Sequence, residues 1–288
     1  MNSQHVYDAC ILEATARKLG NVHPGADFAD MTFVHFARSA VVIAPIFDEP
    51  LGVGAMILKC IRATRAIVPV NTNLGMVLLL APLAAVPKEV TLQNGIAEVL
   101  RGSSIPDAVA AYEAIRLASP AGLNDAAEQD VNQQPTVTLM EAMTMAADRD
   151  SIARQYHMRF SDVFSQGVPA LLDGFAFHGS LEAAILECQL RILRIFGDSH
   201  IERKHGKACS IEVRKEAEAV HARGGFRTNA GSASAASLDS FLRIGKLNPG
   251  TTADLVTACL FVALRDHKLS ATAPFAFPAY RLAEPNGR

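Results

Sequence analysis

Apolar residues recur three and four positions apart along nearly the whole chain, as at Val34, Ala37 and Val41 with Phe33 and Phe36 beside them, or at Leu181, Ala184, Ile185, Cys188, Ile192, Leu193 and Phe196. Strand-like alternation of β-branched residues is scarce. The spacing predicts helices over residues 3–18, 31–46, 52–67, 74–86, 91–101, 106–118, 138–147, 150–172, 180–196, 199–222, 233–245 and 249–265. The expected fold is all-α, a single-domain bundle of about ten to twelve helices over residues 1–288. Helices 74–86 and 249–265 are apolar around most of their circumference, which places them in the centre rather than on the surface.

Breakers punctuate this pattern. Residues 119–135 are polar and rich in Pro, Gly, Asn and Asp, which reads as a long loop. The Gly224-Gly225 pair and the Ala/Ser run over 230–237 read as a mobile turn before a helix, and the Pro- and Ala-rich stretch after His267 as irregular chain.

Composition narrows the function classes. Lys plus Arg number 27 against 29 Asp plus Glu, a net charge of −2, so no general field draws the chain to nucleic acid or an anionic membrane. The first eight residues are polar and no apolar run approaches the ~18 residues of a spanning helix, so a cytoplasmic protein is expected. Five cysteines stand singly without metal-ligand spacing, which reads as buried free thiols, and nine histidines include no HxxxH pair.

Two runs carry most of the chemistry. Asn71-Thr72-Asn73-Leu74-Gly75 opens onto an apolar stretch with side-chain oxygens for a helix cap, leaving first-turn N–H groups for an anion, and Gly75 permits close approach. Asn248-Pro249-Gly250-Thr251-Thr252-Ala253-Asp254 does the same, and helical spacing sets Gly250, Thr251 and Asp254 on one face. A carboxylate inside such a start, with no basic partner in sequence, fits a divalent cation such as Mg2+. An ordinary N-cap and a partly exposed Asp are the plain alternatives. Further acidic clusters lie at Asp148-Arg149-Asp150 and at Asp198-Ser199-His200 with Arg203, each of which also reads as a solvated, salt-bridged face, and the opening segment adds Glu13, Lys18, Asn21 and Asp30 in a polar, breaker-rich patch after an apolar helix.

Taken in order, these residues resemble the triphosphoribosyl-dephospho-CoA synthase family over residues 8–265. Glu13, Lys18-Leu19-Gly20-Asn21 and Asp30-Met31 are similar to the family's early Glu, its Lys-Pro-Gly turn and its Asp-Met pair. Asn71 to Gly75 resembles its Asn-Thr-His-Lys-Gly motif, Asp198-Ser199 with Arg203 its Asp-Thr motif and following basic residue, and Pro249 to Leu255 its Pro-Gly-Gly-Ser-Ala-Asp-Leu motif. The departures are Leu19 for Pro and Asn73-Leu74 for His-Lys, which remove one cation and one titratable group.

The resemblance implies a transferase that joins ATP to 3′-dephospho-CoA with release of adenine. It implies Mg2+ on Asp198 and Asp254, with Asp150 a third ligand or catalytic group. Lys18, Asn21, Asn71, Thr72, Asn73, Gly75, Ser199, Arg203, Gly250 and Thr251 would contact the nucleotide, and Glu13 or Asp30 would be the base. Other readings stay open: a related transferase or condensing enzyme in pterin- or furan-linked one-carbon cofactor assembly, a Mg2+-dependent hydrolase, or a nucleotide-binding helical protein without turnover. A homo-oligomer is compatible with all of them.

Overall fold

The chain's most apolar stretches become its centre. In the computed structural model, which describes residues 1–119 and 129–278, α4 (Leu74–Ala84) buries every residue but Gly75, and α14 (Gly250–Arg265) is covered on almost all sides. Around this pair pack α1 (Asn2–Thr15), α2 (Phe33–Ile43), α3 (Val53–Arg65), α5 (Leu92–Arg101), α6 (Ile105–Ala118), α7 (Leu139–Ala146), α8 (Ser151–His157), α9 (Val168–His178) and α10 (Leu181–Phe196). A second apolar cluster is built from the outer face of α10 with α11 (Ser199–His205), α12 (Lys207–Ala222) and α13 (Asn229–Ile244). Among the described residues there are fourteen α-helices and no strand; the only pairing of extended backbone is an isolated bridge between His23 and Ala26. No helix among them is long and apolar enough to cross a membrane.

Each of the twelve expected stretches holds α-helix, and two are divided. A π-helical turn, Val163–Gly167, and the chain before it separate α8 from α9 within 150–172. Gly206, with φ 91°, separates α11 from α12 within 199–222, a backbone angle that favours glycine. α13 starts earlier than expected because Thr228 caps it, its hydroxyl accepting from Gly231 N at 3.0 Å. Most of the expected 119–135 loop, and the tail beyond residue 278, lie outside the described residues. The five cysteines are free thiols, four of them buried and Cys209 partly exposed.

Two local devices hold the central pair. Pro82 lies inside α4 and lacks the N–H that would reach the carbonyl four residues earlier; the buried Tyr156 hydroxyl donates to that carbonyl, Leu78 O, at 2.6 Å. At the far end of α14, Arg265 donates to the carbonyls of Val86, Pro87 and Val90 and fastens the α4–α5 connection.

Candidate active site

The loop after α1 is the first wall of the site. Gln189 of α10 brackets it, accepting from Leu19 N and donating to Leu19 O and Asn21 Oδ1, each at 2.9 Å. Asp239 of α13 accepts from Gly20 N at 2.8 Å. So held, Asn21 turns its amide to Asn248 Oδ1 at 2.7 Å, and the loop after α1 meets the chain that enters α14. Beside it Glu13 is buried and paired with Lys18 at 3.0 Å, and the same ammonium donates to the Glu13 and Ala16 carbonyls. Burial pushes the Glu13 carboxyl up, against the pull of Lys18.

Helix starts form the remaining walls. Asp150 begins α8, accepting from Ile152 N and Ala153 N, and its other oxygen pairs with Arg203 at 3.1 Å. Asp198 begins α11, accepting from Ile201 N, while its second oxygen accepts from Thr252 N at 2.7 Å and Thr252 Oγ1 at 2.8 Å, which ties the start of α14 to it. The Ser199 hydroxyl accepts from Ser151 N and donates to Thr251 Oγ1, joining all three starts. The fourth start, that of α4, receives the Asp254 carboxylate of α14. Met76 N donates to it, and a Cβ on Gly75 would lie 2.0 Å from Asp254 Oδ2.

These walls enclose one cleft lined by Glu13, Asn21, Asn71, Thr72, Asn73, Gly75, Gly250 and Asp254, so both glycine-containing runs open on the same space. Lys18, Asp198, Ser199, Thr251, Asp150 and Arg203 lie outside that lining, bonded to it or to one another. Asp30 is exposed next to the cleft-lining Met31. His200, Asn248, Val22, Met31 and Phe36, to none of which the sequence assigned a ligand contact, also line the cleft. For Asn248 a signal was present: it directly precedes Pro249-Gly250. His200, beside the capping Asp198, is neutral near pH 7: burial and then Arg203 and other neighbouring cations push it down to about 4.

Two expectations need correction in detail. The cap hydroxyl and amides do not leave a row of free N–H groups. Asn71 Oδ1 accepts from Leu74 N, Thr72 Oγ1 pairs with Ser39 Oγ, and the Asn73 amide donates to Thr64 Oγ1. Asp254 and Asp198 then take Met76 N and Thr252 N, because a carboxylate is drawn to the positive end of a helix. Nor do Asp150, Asp198 and Asp254 meet at one point: among the described residues no three His, Cys, Asp or Glu side chains converge closely enough to hold a metal unaided.

They do meet electrostatically. Asp254 is raised well above the ordinary carboxyl range, first by burial and then by Glu13, Asp198 and Asp150, with only the Met76 amide opposing. Asn73 Oδ1 is buried, faces no donor, and belongs to a residue of the same lining. No Lys or Arg is among the described lining residues. The cleft therefore offers oxygens in want of positive charge or donors.

Fold and cleft together describe an all-helical protein whose N- and C-terminal regions share one polar site, and comparison with known proteins says which kind. The chain belongs to the CitG family, ATP:dephospho-CoA triphosphoribosyl transferase, whose model matches residues 2–273, and is thus a member of a transferase family. A Pseudomonas putida protein named as a probable 2-(5''-triphosphoribosyl)-3'-dephosphocoenzyme-A synthase is 33% identical over 108 residues; the aligned stretch spans 38% of this chain and 39% of that relative's own length. A crystal structure from Archaeoglobus fulgidus, described as a candidate triphosphoribosyl-dephospho-CoA synthase, superposes with a TM-score of 0.62 over 79% of this chain and 97% of its own, at 24% identity, and shares the fold.

Proposed function

We propose that the protein transfers the triphosphoribosyl group of ATP to 3′-dephospho-CoA and releases adenine, with Mg2+ accompanying the triphosphate. The observation that carries this reading is the convergence of Glu13, the Asn71–Gly75 run and Asp254 on one cleft in a chain of this family. A cleft with two carboxylates and no described basic lining residue repels a bare triphosphate, so the polyanion enters with a cation. The donors fit Mg2+: Asp254 and the unpartnered Asn73 Oδ1 would hold it, the remaining positions going to phosphate oxygens and water, as is usual for this ion. When bound, Mg2+ neutralises the triphosphate.

The chain's own groups handle the sugar and the acceptor. The acceptor's 2′-hydroxyl oxygen bonds to the ribose anomeric carbon while the bond from that carbon to adenine breaks. Glu13, held in place by Lys18, takes the hydroxyl proton, and the departing adenine ends with one proton gained. Val22, Met31 and Phe36 supply an apolar wall for the base. Until it takes the hydroxyl proton, the Glu13 carboxylate supplies negative charge that favours the positive charge developing on the anomeric carbon. Lys18 and Arg203 act through the carboxylates they pair with, and the function of Asp150, Asp198, Ser199 and Thr251 is to lock the helix starts.

A second reading changes only the acceptor. Leu74 and Asn73 stand where the resemblance has Lys and His, and Leu74 is buried, so this helix start brings no cation to the acceptor's phosphates. A transferase for a pterin- or furan-linked one-carbon cofactor precursor fits that start. Incubation with ATP, Mg2+ and dephospho-CoA, followed by chromatography, tests the first reading: free adenine appears in step with consumed acceptor. Adenine release only with a different acceptor favours the second, and no adenine with either overturns both.

A further inference from the structure

A second cleft, of about 500 Å3, lies against the face of α10 opposite Gln189, within the usual ~300–1,000 Å3 of small-molecule sites. Its lining includes Ser165 and Gln166 of the π-helical turn, Asp173 of α9, and Arg191, Arg194 and Arg227. Such turns interrupt regular helices and often mark functional sites.

The arginines differ in how their charge is used. Arg227 is committed, paired with Asp173 and Glu187 and resting over the Phe177 ring at 4.8 Å. Arg191 points Nε and Nη2 at one neutral acceptor, Gln166 Oε1, at 3.2 and 2.7 Å. Arg194 reaches Glu218 with Nη1 at 3.0 Å, yet its Nε is buried without an acceptor. Three residues apart on α10, the two guanidinium groups share a face. Burial, and then Arg194, hold Arg191 below its ordinary value against the opposing pull of Glu218, so the pair repel each other across a half-open cleft. A group accepting from both would relieve the repulsion and satisfy the orphaned N–H. Planar forks of this kind match phosphate oxygens two at a time.

We propose that this cleft is an anion site separate from the one at Asp254, taking the diphosphate of a small molecule between Arg191 and Arg194 without a metal ion. The proposal does not depend on the transfer reaction, and its test needs no turnover. Inorganic pyrophosphate is titrated calorimetrically into the protein in excess EDTA, where a site that needs Mg2+ stays silent. The wild type is expected to bind, Arg191→Gln and Arg194→Gln each to bind about tenfold or more weakly, and Asp254→Asn to bind as the wild type does. Arg191→Lys and Arg194→Lys, which keep charge and packing but lose the fork, should fall in between, and circular dichroism of all variants checks that they are folded. ADP run beside pyrophosphate separates a nucleoside diphosphate from the free ion, and Arg-dependent binding of either supports the site. Absent binding by the wild type, binding indifferent to both arginines, or binding lost in Asp254→Asn overturns it.

Discussion

Two clefts lie on either side of α10, and their charges are opposite. The one toward Gln189 is lined by Glu13 and Asp254 with no described Lys or Arg; the other carries Arg191, Arg194 and Arg227 against Asp173 and Glu187. Their construction differs too. The acidic cleft is made where helices begin, with Asp254 capping α4 and Asp198 capping both α11 and α14, so its charges are rigid and shared between elements. The basic cleft is made from the sides of α9, α10 and α12 together with the π-helical and Gly224-Gly225 turns, and Arg194 Nε in it lacks an acceptor. A rigid group of carboxylates in want of positive charge suits a ligand that brings its own cation. Guanidinium groups held by a neutral acceptor or left short of one suit an anion that arrives alone.

Substitutions can break that contrast, and Asp254 should break it most. Asp254→Asn is expected to lower kcat/KM for triphosphoribosyl transfer by about a thousandfold or more, while raising Tm, because a buried carboxylate facing three others is removed. Glu13→Gln is expected to lower kcat by about a hundredfold and to destabilise the fold by roughly 3–5 kcal/mol, since it strands the buried Lys18 charge; adding Lys18→Met should restore much of the stability and none of the turnover. Gly75→Ala should cost about 10- to 100-fold in kcat/KM by pushing the Asp254 carboxylate off Met76 N, with a loss of about 1–3 kcal/mol seen in urea unfolding.

The pH dependence of stability sharpens the same point. Glu13 and Asp254 are both raised, so the unfolded chain loses these protons first and the native state binds more of them above the ordinary carboxyl pKa of about 4. Their contribution therefore falls as pH rises through the window up to their raised values, then stays level. Subtracting the Tm–pH profile of Asp254→Asn from that of the wild type should isolate the decline. Smallest of all, Arg191→Gln on the other side of α10 should leave kcat within about twofold.

Much of the acidic cleft was legible in the sequence because helix starts write themselves in short runs. Asn71 to Gly75 and Asn248 to Asp254 combine cap residues, glycine and an apolar continuation, and both reach the cleft. Less legible was which partner each cap would meet. That Asp254 covers the α4 start and Asp198 that of α14 is a tertiary fact, invisible to spacing within either run. The resemblance implies Lys18 and Arg203 as nucleotide contacts; invisible in the sequence were the buried or half-buried carboxylates, Glu13 and Asp150, with which they pair. The helix breaks show the same division. His205-Gly206 carried a readable stop, a basic last turn followed by glycine, but the apolar period continues past it. The π-helical turn at Val163–Gly167 carried only Gly167 and, two residues on, Pro169, breakers that mark an interruption without giving its form, and it lines the basic cleft.

The central claim is that the acidic cleft takes ATP only together with a divalent cation held at Asp254. Calorimetric titration of ATP with and without Mg2+, on the wild type and on Asp254→Asn, tests it most directly. Adenine-nucleotide binding to this cleft should appear in the wild type with Mg2+ and vanish in the variant, any metal-free binding being traced to Arg191 and Arg194 by their substitution. Mg2+-dependent ATP binding of equal strength in Asp254→Asn would contradict the account.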